Sequence, residues 1–79
     1  MRAGEKCLVI GSGLSGISAV ACLEYMKAEV TLYDSNEKLT QEDLRALLPT
    51  GSGAACVAGK LPEEVLGQVE TVVLSPGVP

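Results

Sequence analysis

The chain has 79 residues, 47% of them apolar, a formal charge of −4, and neither tryptophan nor phenylalanine. That length allows one small domain with a core of Val, Leu, Ile and Ala, as is typical of a parallel sheet buried beneath helices. The negative charge and the absence of long basic runs argue against a nucleic-acid partner, and no apolar run suits a signal peptide or a membrane span. We therefore expect a cytoplasmic protein.

The chain begins with the pattern of a strand, a glycine-rich loop and a helix. The apolar run at 6–10 predicts the strand, and the loop has the sequence GxGxxG at 11–16. The helix is predicted over 14–26. Three of its residues are expected to face the sheet, namely Ile17, Val20 and Ala21.

Each glycine of the loop suits a separate task. Gly11 allows a tight turn out of the strand, Gly13 lets the backbone approach a diphosphate, and Gly16 lets the helix pack against the sheet. The N–H groups from Gly13 to Ser15 lie at the positive end of the helix dipole, where they can face an anion. We predict a site for a nucleotide-type diphosphate; a glycine turn that only packs is the alternative.

An acidic residue completes this unit. A second strand is predicted over 29–33, and Asp34 follows it. Asp34 lies 18 residues beyond Gly16, close to the ~20 expected for an acid that contacts a ribose or a base. The GxGxxG pattern is weak evidence alone, and its setting between two strands with an acid at the end makes it much stronger.

A second helix is predicted over 41–48. Thr40 has the character of an N-cap, and Asp43, three residues later, can complete a capping box. Pro49 and the glycines after it end the helix. Three leucines are expected to point inward, namely Leu44, Leu47 and Leu48.

The rest of the chain continues the alternation. A weak strand is predicted over 54–58, a short helix from Pro62 to Gly67, and a fourth strand over 71–74. Right-handed crossovers then give an α/β, Rossmann-like, doubly wound parallel sheet with strand order 3-2-1-4. Because the switch-point strand would lie at the edge of this sheet, we expect the chain to be a domain of a larger protein.

The predicted topology brings three separated stretches to one crevice. Ligands of doubly wound sheets bind outside the carboxyl ends of the strands at the switch point, here between the first and fourth strands. The glycine-rich loop forms one wall of that crevice, Ser75, Pro76 and Gly77 form the other, and Asp34 closes the outer side. Ser75 offers a hydroxyl and Gly77 a close backbone approach; an ordinary turn is the alternative for this segment.

Two further patterns are not expected to form sites. Gly59 and Lys60 invite comparison with a phosphate-binding P-loop, but Ala54 and Leu61 stand where that motif needs glycine and serine or threonine. The three cysteines, Cys7, Cys22 and Cys56, are expected to be buried free thiols. Without histidine or a CxxC pair, no zinc or other metal site is expected.

Three motifs together resemble one protein family. The glycine-rich loop at 9–16, the Asp34–Ser35 pair and the segment 73–79, which contains Ser-Pro-Gly-Val, look like the N-terminal domain of the Mur ligases of bacterial cell-wall synthesis. The closest likeness is to the branch that adds D-glutamate to UDP-N-acetylmuramoyl-L-alanine. The resemblance spans essentially the whole chain, and the pairing of the first and last motifs is fairly specific.

The resemblance implies a domain that holds the uridine diphosphate part of a UDP-sugar substrate. By motif position, Leu14 and Ser15 would meet the diphosphate, Asp34 and Ser35 would meet the uracil, and the segment 75–77 would line the sugar-diphosphate side. Family members often carry an arginine shortly after the acid, where this chain has Asn36, so the contacts of that arginine are not carried over.

The resemblance also implies partners in the parent protein. Family members bind ATP and magnesium in a central domain with a GKT loop, followed by a C-terminal domain, and neither is expected within this chain. The parent would activate a carboxylate with ATP as an acyl phosphate that the amine of D-glutamate attacks. No cofactor and no catalytic residue are therefore predicted on this chain, and alone it should be inactive.

Two other functions stay open. A glycine-rich loop together with an acid is the usual signature of an NAD- or FAD-binding domain of an oxidoreductase. Because no arginine follows Asp34 closely, NAD would be favoured over NADP. A non-enzymatic nucleotide-sensing module is the third possibility. The Ser75–Gly77 segment favours the ligase, and titration with UDP-sugar against NAD would separate the first two.

Overall fold

The computed structural model describes residues 3–74, in which four parallel strands alternate with three helices along the chain. The strand order is β3-β2-β1-β4, which confirms the predicted doubly wound, Rossmann-like sheet. The elements are β1 (Lys6–Ile10), α1 (Leu14–Tyr25), β2 (Glu29–Asp34), α2 (Gln41–Leu47), β3 (Ala55–Ala58), α3 (Glu63–Gln68) and β4 (Thr71–Leu74).

The register of the sheet places the ends of all four strands at one edge. Ile10, the last residue of β1, pairs with Tyr33 of β2 on one side and with Leu74 of β4 on the other. Asp34 of β2 pairs with Ala58, the last residue of β3. Because all the strands run parallel, the loops that follow β1, β2 and β3 lie side by side, where ligands of such sheets bind.

The main core lies between one face of the sheet and the first two helices. Side chains alternate along a strand, so Cys7 and Val9 of β1 share this core while Leu8, also fully buried, points to the opposite face. Aliphatic side chains fill the core, as the composition predicts. Its buried members are Cys7, Val9, Val20, Leu23, Val30, Leu32, Leu44, Leu48, Ala54 and Cys56.

The buried face of α1 differs from the prediction. Its buried residues are Gly16, Val20 and Leu23, spaced by four and three positions, and Ile17 packs partly against them. Ala21 is exposed, so its predicted position against the sheet was wrong. Because a helix advances about 100° per residue, the stripe that includes Leu23 turns Ala21 towards solvent. Among residues 3–74, no helix has both the length and the apolar character to cross a membrane.

The second helix begins as predicted and ends one residue early. The Thr40 hydroxyl accepts a hydrogen bond from the Asp43 N–H at 3.1 Å, and the Asp43 carboxylate accepts one from the Thr40 N–H at 2.8 Å. Leu44 and Leu48 are buried, but Leu47 is 50% exposed, so the prediction for Leu47 was wrong. The reason is that Leu48 leaves the helix with extended backbone, ψ 152°, and its side chain reaches the core from outside the helical repeat.

Two charged side chains hold the loop between α2 and β3. The Glu24 carboxylate accepts hydrogen bonds from the Ser52 hydroxyl at 2.6 Å and from the Gly53 N–H at 3.0 Å. Arg45 donates to the carbonyl oxygens of Ser52, at 3.2 Å, and of Ala54. These contacts satisfy backbone groups that no strand or helix pairs.

Two of the three cysteines are buried. Cys7 and Cys56 are each 1% exposed, and burial raises the pKa of both thiols. Cys22 is exposed, so the prediction of a buried thiol was wrong there. It lies on α1 beside Ala21, on the side turned away from the sheet.

Candidate functional site

The glycine-rich loop leaves β1 through a turn that requires glycine. Gly11 has φ of 106°, a conformation that residues with a side chain rarely adopt. Its N–H donates to the Tyr33 carbonyl oxygen at 2.7 Å, so the turn is fastened to the neighbouring strand. The chain then enters α1 immediately at Leu14.

The start of α1 presents unused backbone donors. Gly13 is the N-cap, and the first helical hydrogen bond runs from the Ile17 N–H to the Gly13 carbonyl oxygen at 3.0 Å. The N–H groups of Leu14, Ser15 and Gly16 meet no acceptor within residues 3–74. No side chain caps this end of the helix, and a Cβ built at Gly13 would meet nothing within 4 Å. The first turn is therefore open to an anion.

The carboxylate of Asp34 binds the same loop. Its Oδ2 accepts the Ser12 N–H at 3.1 Å and the Ser12 hydroxyl at 2.5 Å, while Oδ1 accepts the Asn36 N–H at 2.9 Å. The Ser12 hydroxyl bond is the main reason that the pKa of Asp34 is lowered; burial opposes it, and the two backbone N–H groups add to it. Asp34 is therefore held ionised close to the open end of α1.

Ser12 is a residue that the sequence prediction missed. The register supplies the signal, because Ile10 pairs with Tyr33, so that Ser12 and Asp34 both come just after this pair in their own segments. A serine two residues after the end of β1 can then reach the acid that ends β2.

The turn after β3 is also fastened to the end of β2. The Gly59 N–H donates to the Asp34 carbonyl oxygen at 2.9 Å, and the Tyr33 hydroxyl donates to the Gly59 carbonyl oxygen. Gly59 has φ of 82°. Lys60 follows it at the surface. Tyr33 and Asp34 thus hold the loops on both sides of β2.

The structure brings most of the predicted site residues to this edge. Gly13, Leu14 and Ser15 are exposed at the start of α1, Asp34 is half-buried beside them, and Ser35 is exposed directly after it. The other predicted wall, Ser75, Pro76 and Gly77, lies outside the described residues. Within residues 3–74, no three or more His, Cys, Asp or Glu side chains are grouped so that they could hold a metal ion.

A family model matches almost the whole chain. It describes the Mur ligase MurD-like N-terminal domain and covers residues 5–79. The chain belongs to this family. The match confirms the resemblance seen in the glycine-rich loop, the acid and the last segment.

Two curated relatives of this MurD-like domain share one name. The UDP-N-acetylmuramoylalanine–D-glutamate ligase of Lachnoclostridium phytofermentans is 42% identical over 76 residues, which cover 96% of this chain and 17% of that protein. The ligase of the same name from Lachnospira eligens is 39% identical over 75 residues, with coverage of 95% and 16%. The MurD-like chain thus spans about one sixth of the length of these relatives.

Solved structures of other proteins share the fold. A probable oxidoreductase from Mycobacterium abscessus superposes with a TM-score of 0.64 at 22% identity, over 91% of this chain and 24% of that one. Malate dehydrogenase from Cryptosporidium parvum gives a TM-score of 0.58 at 24% identity, over 100% of this chain and 26% of that one. At such identities the likeness establishes the Rossmann-like fold of the MurD-like domain.

Proposed function

We propose that this chain binds the uridine diphosphate part of UDP-N-acetylmuramoyl-L-alanine, as the N-terminal domain of a longer ligase that adds D-glutamate in peptidoglycan precursor synthesis. One observation carries the proposal. In a chain of the MurD-like family, the unpaired N–H groups at the start of α1 lie beside the ionised Asp34 at the ligand-binding edge of the sheet.

The proposed contacts use the two halves of the site differently. The backbone N–H groups of Gly13, Leu14 and Ser15 would bind the diphosphate. None of the three donates to an acceptor within residues 3–74, and they lie at the positive end of a 12-residue helix. Asp34 and Ser35 would bind the uracil. An ionised carboxylate can accept about four hydrogen bonds, and the three that Asp34 already accepts leave it room for a donor such as the uracil N3–H.

The proposal includes a further contact with the substrate, from the segment 75–77 that follows β4 in the sequence. Leu74, the last residue that the structure describes, pairs with Ile10, the last residue of the strand that precedes the glycine-rich loop. This supports, as part of the proposal, a contact of Ser75, Pro76 and Gly77 with the sugar-diphosphate side of the substrate.

The described residues do not fit ATP and magnesium. The Gly59–Lys60 pair lacks the spacing and hydroxyl of a phosphate-binding loop, and residues 3–74 contain no acidic cluster suited to a cation. We therefore assign ATP-dependent chemistry to parts of the longer protein, and to this chain only the anchoring of substrate. Three free cysteines fit a reducing compartment, which supports a cytoplasmic location as part of the proposal.

Titration of the 79-residue chain with UDP, followed by amide NMR, tests the proposed function. We expect saturable shifts centred on residues 13–15 and 34–35, with a Kd of roughly 10 μM to 1 mM, or about −7 to −4 kcal/mol. Adding the muramoyl-alanine group should tighten binding if the segment 75–77 takes part. Shifts centred on residues 59–68, or none at millimolar UDP, would refute the proposal.

A parallel titration with NAD tests the oxidoreductase alternative. The solved structures that share this fold include oxidoreductases, but their low identity supports only the fold. We expect NAD to bind at least tenfold more weakly than UDP. The reverse order of affinities would favour a dinucleotide-binding domain.

A further inference from the structure

The second residue of the glycine-rich loop joins the two halves of the candidate site. Ser12 lies between Gly11, which makes the turn out of β1, and Gly13, which caps α1. Its N–H and its hydroxyl both donate to one oxygen of Asp34, at 3.1 and 2.5 Å. Neither contact involves an N–H group proposed to bind the diphosphate. Ser12 can therefore hold the loop in position without taking up any of those N–H groups.

The chemistry of this contact makes it a firm connection. Hydrogen bonds to an ionised carboxylate are shorter and stronger than those between neutral groups, and an O–H donor to such an oxygen lies at about 2.5–2.7 Å. The second oxygen of Asp34 accepts the Asn36 N–H at 2.9 Å, which fixes the rotation of the carboxylate. Both Ser12 and Asp34 are half-buried, so water competes only partly for these bonds.

We propose that Ser12 is a positioning residue: it joins the anion-binding turn at residues 13–15 to the end of β2, so that the turn and Asp34 are held at a fixed separation before a nucleoside diphosphate binds. This inference rests on the proposed function, because it concerns how the same site recognises a ligand that spans both halves. Ser12 itself would not touch the ligand.

The physical reason is preorganisation. A nucleoside diphosphate must meet the amides of the turn and Asp34 at the same time, and binding costs less when these groups are already in place. Without the Ser12 hydroxyl, the loop is tied to Asp34 by the Ser12 N–H alone. Part of the ordering of the loop, which the folded protein now provides, would then have to occur on binding and would weaken the affinity for the ligand.

The test compares Ser12→Ala and Ser12→Thr with Ser18→Ala as the matched control, in the 79-residue chain titrated with UDP. Ser18 is exposed on α1, outside the loop. We expect Ser12→Ala to raise the Kd for UDP by about three- to tenfold, as the loss of one such bond implies. Ser12→Thr keeps a hydroxyl and should stay close to the parent sequence, as should Ser18→Ala.

A second measurement separates positioning from a general loss of folding. In the Asp34→Ala background, Ser12→Ala should change the Kd by less than about twofold, because the partner of the hydroxyl is already gone. A merely destabilising substitution would instead add its effect in both backgrounds. Without ligand, Ser12→Ala should raise the titration midpoint of the Asp34 carboxyl carbon, which NMR observes directly.

The outcomes are distinguishable. Unchanged UDP affinity in Ser12→Ala, with shifts still at residues 13–15, would overturn the inference and leave the proposed function standing. Equal losses in Ser12→Ala and Ser12→Thr would also overturn it, since the hydroxyl would not be the cause. If the parent sequence does not bind UDP at all, the proposed function fails and the positioning role fails with it, even where the Asp34 midpoint shifts as expected.

Discussion

Gly13 is a position where a side chain would affect the ligand more than the fold. It caps α1 with φ of −70°, an ordinary value, and a Cβ there would meet nothing within 4 Å. The open space above it is where the proposed diphosphate approaches the backbone. We therefore expect glycine at position 13 to be needed for ligand binding and not for the backbone conformation. Gly11 differs, because its φ of 106° itself favours glycine.

Gly13→Val should accordingly abolish UDP binding while leaving the domain folded. Its branched side chain would occupy the space of the phosphate oxygens, and the folding cost should be limited to the poorer N-cap, about 1 kcal/mol. Isothermal titration with UDP and a thermal melt measure the two effects. Gly67→Val, at an open position near the end of α3, is the control. Parent-like UDP binding by Gly13→Val would show that the loop is only structural.

Asp34 makes the stability of the domain depend on pH. Its pKa lies below the ordinary value of 3.8, chiefly because the ionised form accepts the Ser12 hydroxyl bond. A lowered folded-state pKa means that this stabilisation is fully present above the unfolded value and is lost as pH falls through the folded value. We expect the parent sequence to lose stability below about pH 4 more steeply than Asp34→Asn, as followed by urea unfolding.

At the level of helices, local capping could be predicted from sequence and the buried face could not. The Thr40–Asp43 capping box depends on residues three apart, so the sequence alone specifies it. The choice between Ala21 and Leu23 for the core depends on how α1 lies on the sheet. Leu47 and Leu48 could not be distinguished for a similar reason, because the chain leaves the helix between them.

Thr40→Ala should lower the free energy of unfolding by about 1 kcal/mol, because it removes the acceptor for the Asp43 N–H at the start of α2. Thr50→Ala is the matched control, since Thr50 is exposed in the loop after this helix. Chemical denaturation of both variants measures the difference. Equal stability of the two variants would mean that the capping box contributes nothing measurable to the fold.

For the sheet, the sequence predicted nearly everything that depends on chain order. Short apolar runs between turn signals located β1 and β4 at their observed bounds, and right-handed crossovers gave the strand order. The contacts between loops could not be predicted in the same way. The Ser12–Asp34 bond and the Tyr33 contact with Gly59 require the register and the side-chain directions, which only the folded chain supplies.

The whole chain should bind without catalysing. We expect no ATP hydrolysis and no ligation with D-glutamate, because phosphoryl transfer needs a lysine-bearing loop and magnesium, and residues 3–74 provide no such arrangement. A sensitive phosphate-release assay with ATP and D-glutamate checks this. Turnover that survives repeated purification would refute the purely anchoring role.

In a full-length ligase containing this domain, Asp34→Ala should mainly raise the KM for the UDP substrate. The proposed contact is to a part of the substrate far from the reacting carboxylate, so ground and transition states should lose similar binding. A modest fall in kcat is compatible with poorer positioning. Loss of kcat by several orders of magnitude at saturating substrate would instead place Asp34 in the chemistry.

The fastening of both neighbouring loops to the end of β2 has a consequence for hydrogen exchange. The N–H groups of Gly11, Ser12 and Gly59 all donate to Tyr33 or Asp34. Loop amides usually exchange with solvent quickly, because small local openings expose them. These three amides should instead exchange slowly, because each can exchange only after its loop has separated from β2.

Fast exchange is expected only two or three residues further along, at Leu14 and Ser15, whose N–H groups meet no acceptor within residues 3–74. The slow and fast amides of one site would then be nearly adjacent in the chain. A bound anion should protect Leu14 and Ser15 while leaving Ser12 almost unchanged. The exchange rate of Ser15, compared with that of Ser12 three residues earlier, would thereby report whether an anion occupies the turn.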